Sequence, residues 1–362
     1  MASAAVLQPQ APPAPSIQSM SEILPSARYK PTKFDPAKHM CYKPPSETIT
    51  LESLGLKPAR ATSPVACTVP FRLLSEEGIR EIRADIFRKE IVEKYGGVKY
   101  PGVYRIRGYG KDAPFVYDLW RSEEVRRACS EAAGVELEIV FDYEIGQLNV
   151  QLDANTDKNA PITETLPPEV PPRESEIEDS TAVASEQADL DAAGTKFHDE
   201  KFGALGTQWH SDSYPWVCVM MLSDTVNMKG GETAIKTGNG DIVKMRQPGM
   251  GYAVMMQGGS ITHAALRCVS RGERISMVTS FRPKNPILRD TSTLATVKGI
   301  SNNDVLFTQW TTYRMEVISK RAAAMKQDLD TKGYKADEIK KVLGEWVKDQ
   351  IEYLRNTMEE MG

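Results

Sequence analysis

Four histidines occur in the 362-residue chain (His39, His198, His210 and His263), and two of them stand where a metal ion could be held. His210 and Asp212 are one residue apart in Gln208-Trp209-His210-Ser211-Asp212, and His263 follows in Thr262-His263-Ala264. On an extended strand, alternate side chains point to the same side, so His210 and Asp212 can reach one ion. A third ligand from a distant strand leaves the opposite face of that ion open. Two imidazoles and a carboxylate suit Fe(II), and the open positions are where oxygen and a co-substrate bind. Spacing alone leaves a second reading: His210 as a buried histidine hydrogen-bonded to Asp212.

Downstream of His263 comes Arg274-Ile275-Ser276. Period-two geometry puts Arg274 and Ser276 on one strand face, with Ile275 and Met277 on the other. A guanidinium and a hydroxyl side by side bind a carboxylate through charge-assisted hydrogen bonds. Earlier, in Gly146–Leu152, Gln147, Asn149 and Gln151 alternate with Leu148, Val150 and Leu152, which offers a second polar face. Trp209, Tyr214 and Trp216 flank the His-x-Asp and are candidate substrate contacts, although aromatic residues usually fill cores. Arg105 and Arg107 could meet an anionic substrate, or simply line an exposed strand face. His198 reads as a loop histidine.

The elements that must position these residues follow from punctuation and period. A helix is expected from Ser75, with Glu76 and Glu77 at its positive end and Ile79, Ile82 and Ile86 as its apolar stripe, running to Gly96–Gly97. A second covers Ser122–Ala133. Strands begin at Leu137. Residues 161–191 then interrupt them with five prolines, nine acidic residues and one basic residue, a composition unable to pack a core and expected to form a lid or an inert insertion. Strands resume at Thr207 and run to about Phe281 between glycine turns, the pattern of a jelly roll or similar two-sheet barrel. Near the C-terminus, Ile339, Val342, Leu343, Trp346, Ile351, Leu354 and Met358 mark an apolar helix face, expected to support the core or to serve a homodimer contact. The chain thus divides into a Pro-rich arm (1–45) without structure of its own, a main domain (46–300) and a helical extension (301–362).

Bulk properties exclude several classes. A formal charge of −4 gives no electrostatic reason to expect nucleic acid or an anionic membrane. No apolar run approaches the length of a membrane span. The N-terminal residues lack a signal core, and the five cysteines form no CxxC pair, so a cytoplasmic protein with reduced thiols is expected.

With His210-x-Asp212, the distal His263 and Arg274-x-Ser276 together, the segment from about Gln208 to Phe281 resembles the core of the 2-oxoglutarate/Fe(II) oxygenase superfamily. Leu222-Ser223-Asp224 followed by Gly230-Gly231-Glu232-Thr233 is similar to the stretch between the ligands in prolyl-hydroxylase-like members. The resemblance implies an α+β fold with a double-stranded β-helix (jelly-roll) core and flanking N- and C-terminal helices. It implies Fe(II) on His210, Asp212 and His263, 2-oxoglutarate chelating the iron with its far carboxylate on Arg274 and Ser276, and O2 as oxidant. Many members carry an Asn-x-Tyr whose tyrosine also contacts 2-oxoglutarate; here Asn149-Val150-Gln151 stands in that place. The implied reaction oxidises an unactivated C–H bond of a small molecule, such as an amino acid or specialised metabolite, by hydroxylation, desaturation or cyclisation, with release of succinate and CO2. Alternatives are a prolyl-hydroxylase-like enzyme acting on a peptide, a cupin-type dioxygenase without 2-oxoglutarate, and a non-catalytic jelly-roll binding module.

Overall fold

The computed structural model describes residue 30 and residues 32–58, 61–100, 103–151, 207–225, 228–268 and 273–362. Residues 161–191 and His198 lie outside the described residues. Helices α1 (Pro36–His39), α2 (Glu76–Ile86), α3 (Lys89–Tyr95), α4 (Pro114–Arg121) and α5 (Glu123–Ala133) accompany the early strands, and α6 (Asn303–Lys332) and α7 (Ala336–Glu359) end the chain.

Local chemistry explains most helix ends. Ser75 accepts from Gly78 N–H at 3.1 Å and starts α2; Ser122 accepts from Val125 N–H at 3.2 Å and starts α5, which Gly134 ends at φ 65°. The first helix does not run to Gly96, however: it stops at Ile86, and extended Arg88 begins the separate α3. The unexpected α4 has no local cap. Its first amides, Phe115 N–H and Val116 N–H, donate to the buried Asp85 carboxylate of α2 at 2.9 and 3.2 Å. A cap supplied thirty residues away leaves no mark on the local sequence.

The arm boundary at residue 45 is also corrected. Asp35 caps α1 by accepting from Ala37 N–H, while Phe34 and His39 are buried against Phe115, with ring centroids 5.9 and 5.0 Å away. These residues belong to the core. Expected strands did not include the early ones either: β1 (Thr48–Thr50), β2 (Val65–Thr68), β3 (Phe71–Arg72), β4 (Gly96–Tyr100) and β5 (Val103–Ile106) precede β6 (Leu137–Ile139) and β7 (Gln147–Gln151).

After these come β8 (Trp216–Met221), β9 (Thr233–Lys236), β10 (Ile242–Met245), β11 (Tyr252–Met256), β12 (His263–Ala265) and β13 (Arg274–Pro283). The larger sheet runs β1-β2-β11-β8-β13-β7-β5-β4, with β3 beside β11 and β6 beside β13; the smaller runs β10-β9-β12. All described pairings are antiparallel, the arrangement of a jelly roll with helices against one face. On the outer face of the large sheet, Trp216, Cys218, Met220, Ile275, Met277, Phe281, Leu148 and Val150 pack against α2, α4 and α5. Its inner face splits in two. Val217, Val219, Val254 and Met256 meet Ile235 and Met245 of the small sheet in an apolar layer. The β13–β7–β5 half is polar: Arg274 lies opposite Gln151, and Ser276 opposite Asn149, which lies opposite Arg105. Arg105 and Arg107 are buried, not members of an exposed strand face.

The apolar stripe of α7 does not support the core. Ile339, Leu343, Ile351, Leu354 and Met358 are 38–67% exposed, and the buried residues of α7 are Gln350, Tyr353 and Thr357. Polar anchors choose that face. Arg314 of α6 donates to Thr357 Oγ1 at 2.9 Å and to Tyr353 O at 3.0 Å. Asp290 accepts from Tyr353 Oη at 2.9 Å, Tyr313 Oη at 3.1 Å and Arg314 at 3.2 Å.

Burial by itself would raise the Asp290 carboxyl, but Arg314 and the Ser292 and Tyr353 hydrogen bonds hold it below the usual carboxylate range. A depressed folded-state pKa contributes stability that is present above the unfolded value and lost as pH falls through the folded one. Asp290→Asn should therefore lower stability by about 3–5 kcal/mol at neutral pH, since it leaves Arg314 buried without its counter-charge. Urea denaturation of both proteins from pH 7 down to strong acid checks this. The difference should shrink below the ordinary carboxylate range.

Candidate metal centre

His210 and His263 are joined by backbone pairing: His210 N–H donates to His263 O at 3.0 Å, and His263 N–H to His210 O at 2.9 Å. Residues paired in this way project to the same side of a ladder, and the two imidazole centroids lie 4.5 Å apart. Asp212 is fixed by a second backbone bond, its N–H donating to Gly258 O at 2.9 Å just beyond β11. Its carboxylate sits between the rings, with Oδ1 3.6 Å from His210 Nε2 and Oδ2 3.5 Å from His263 Nε2. One donor atom from each residue lies within 4.8 Å of the others, as a shared cation requires.

The ring nitrogens are oriented for ligation. His210 Nδ1 lies 2.7 Å from Gln208 O, which can only accept, so Nδ1 carries a proton and Nε2 is the nitrogen left to face a metal. His263 Nδ1 faces Ile261 O at 3.4 Å, and burial pushes this histidine below its ordinary pKa, favouring the neutral ring. Gly258 supplies space. A Cβ there would collide with the Asp212 carboxylate, so glycine alone lets that group reach the rings. From sequence alone Gly258 reads as part of a glycine turn between strands.

Arg274 and Ser276 occupy the inner face as their spacing required. The Arg274 side chain is almost wholly buried: Nε donates to Gly231 O at 2.8 Å and Nη1 to Ser276 Oγ at 3.2 Å. Among the described residues these partners are neutral. Burial pushes the guanidinium down to about 10, the mark of a cation short of counter-charge. The neighbouring Glu232 is ion-paired with Arg246 and offsets the burial only in part. An anionic ligand would supply the rest. Gly231, at φ 82°, makes the close approach possible, because a Cβ would press on Met228 Sδ and the Arg274 side chain.

Other candidates are placed differently. Gln151 and Asn149 share the inner face with Arg274 and Ser276, and Gln151 Oε1 also accepts from Cys268 N–H at 3.1 Å. Gln147 Oε1 accepts from Arg107 at 2.7 Å, inside a network where buried Glu144 binds both Arg107 and Tyr214 Oη. Tyr214 is thus a core residue and not a free substrate contact. Trp216 is corrected more firmly: strand alternation turns it to the helix-packed face, where it is fully buried and donates to Thr62 Oγ1 at 2.9 Å. Trp209 is half-buried under Lys236, whose Nζ lies 4.6 Å from the ring centroid.

No family model and no curated protein matches the sequence. Among solved structures, the chain is similar to the non-heme alpha-ketoglutarate-dependent carbocyclase SnoK from nogalamycin biosynthesis (12% identity, 65% of this chain and 87% of that one, TM-score 0.39). It is also similar to a Pseudomonas putida prolyl-4-hydroxylase (14% identity, 65% and 98%, TM-score 0.33). A third is HygX from Streptomyces hygroscopicus with nickel and 2-oxoglutarate bound (12% identity, 58% and 80%, TM-score 0.32). Likeness at this level does not establish chemistry, which rests on the side chains just described.

Gly258→Ala should weaken Fe(II) binding at least tenfold, through the displaced Asp212 carboxylate, while the fold survives. Anaerobic Fe(II) titration with circular dichroism as the folding control measures both. Full-affinity binding by the variant would show that Asp212 is not held through Gly258.

Proposed function

We propose that this chain is an Fe(II)- and 2-oxoglutarate-dependent oxygenase acting on a C–H bond of a small molecule. The single observation that carries the reading is the coexistence, on two sheets packed against each other, of a three-residue group able to hold a metal beside β12 and a deeply buried arginine on β13 whose hydrogen-bond partners among the described residues are neutral. His210, Asp212 and His263 hold Fe(II), and Arg274 with Ser276 holds the far carboxylate of 2-oxoglutarate. Asn149 and Gln151, opposite them across the ladder, flank that anchor. When bound, iron, 2-oxoglutarate and O2 together supply the oxidising power, with succinate and CO2 as co-products.

The chain's own residues do the rest. The two imidazoles and the carboxylate would hold the metal, which would supply the site where the reactants meet. The layer of Val217, Val219, Val254 and Met256 keeps water from one wall of the inner space. Arg274 fixes the co-substrate by one end, so its reactive end is oriented.

Fe(II) should bind at one per chain, and adding 2-oxoglutarate without oxygen should produce a visible absorption band; its absence in folded, iron-loaded protein would sink the co-substrate assignment. His210→Ala, Asp212→Ala and His263→Ala should abolish succinate formation and leave the fold intact. Arg274→Ala differs in kind: iron still binds, but the half-saturating 2-oxoglutarate concentration rises by roughly 30- to 150-fold, the equivalent of about 2–3 kcal/mol for a lost charged contact. An unchanged requirement would place the carboxylate elsewhere.

A further inference from the structure

The stretch 318–349, comprising the far half of α6, the turn at Gly333 and the near half of α7, contains no buried residue. Its first residues still reach the body, with Ile318 packed against the neighbouring core and Arg321 donating to Pro286 O at 2.7 Å and Leu288 O at 3.4 Å; the rest of the hairpin has little of the tertiary cover that ordinarily stabilises such elements. Along α7, next to the face anchored on α6, runs a continuous apolar stripe of Ile339, Leu343, Val347, Ile351, Leu354 and Met358, each 38–67% exposed. It spans roughly 29 Å of helix. On the order of 500 Å² of surface per protomer lies in it, or about 1,000 Å² in a pair, which reaches the threshold of a specific interface.

We propose that the chain forms a two-fold homodimer through α7, packed antiparallel against its copy. The spacing of the stripe suits a second copy of the same helix. Its residue numbers pair to a constant sum of 697 or 698: Ile339 with Met358, Leu343 with Leu354, Val347 with Ile351. An isologous interface makes this demand, because the same patch must be its own complement when reversed about the axis. The axis falls between positions 348 and 349 along the helix. Gly344, beside Leu343, has open space where a Cβ would be, and so admits a second helix closely. Lys340 lies on the stripe itself, where its aliphatic stem can cover apolar neighbours while the ammonium reaches the rim. Docking one copy on another turns two exposed hairpins into a four-helix layer and covers the apolar face.

Sedimentation velocity of the full chain from about 1 to 100 µM should give twice the 40.2 kDa chain mass. Leu343→Glu and Ile351→Glu, at sites exposed in a single copy, should each raise the dimer dissociation constant at least about 100-fold with an unchanged near-ultraviolet dichroism spectrum. Register is read separately, in a Cys41→Ser background that removes the exposed thiol. Chains carrying Val347→Cys mixed with chains carrying Ile351→Cys should form disulfide-linked dimers faster than either alone. A wild-type monomer over the whole range, whatever other partner it captures, overturns the proposal. A dimer indifferent to both glutamates, or one in which each cysteine variant links best to itself, overturns it too.

Discussion

Two backbone hydrogen bonds between His210 and His263 set the geometry on which the site depends. Pairing the ligand segments directly, and not through side chains, fixes the separation of the imidazoles by ladder geometry alone. The third ligand is bound to the same frame by Asp212 N–H and Gly258 O. The ligands therefore inherit the rigidity of the strands around them. Side-chain entropy, which long flexible ligands would lose on gathering around an ion, is small here because the backbone has already placed them.

The other half of the site follows from β13. This strand lies between β7 and β8, so its inner face is shared by polar neighbours on one side and apolar ones on the other. Arg274 opens the strand at the end where the neighbouring Gly231 carbonyl and Gln151 converge. Burying a guanidinium there with neutral hydrogen-bond partners costs stability, a cost that a bound anion would offset. Natural domains rarely keep such a group without a use for it. By contrast Arg107–Glu144 and Arg246–Glu232 are closed pairs, and they stiffen the walls.

At the C-terminus the same logic of satisfied polar groups governs packing. Arg314 and Asp290 meet three hydroxyls and a carbonyl between α6 and α7, and that set of bonds outweighs the pull of the apolar stripe toward the core. The stripe is left outward, which makes the hairpin a surface feature and not a buried support.

Sequence by itself determined which residues could form the site and much of their local geometry. His210-x-Asp212 and Arg274-x-Ser276 could be read because period-two alternation is a property of the chain, and Ser75, Ser122 and Gly134 mark helix ends by contacts within a few residues. Burial of the outer face by Leu148, Val150, Ile275 and Met277 was legible in the same way. Only the tertiary structure decided what depends on distant partners. Asp85 caps α4 across thirty residues, Gly258 clears room for a carboxylate 46 positions earlier, and Arg107 is neutralised by Glu144 in place of an anion. Trp216 shows the limit most plainly. Its neighbours in sequence are the candidate metal ligands, yet its ring lies on the far face of the large sheet, because residues 211–215 leave the ladder in a bend and the chain passes from its pairing with β12 to begin β8.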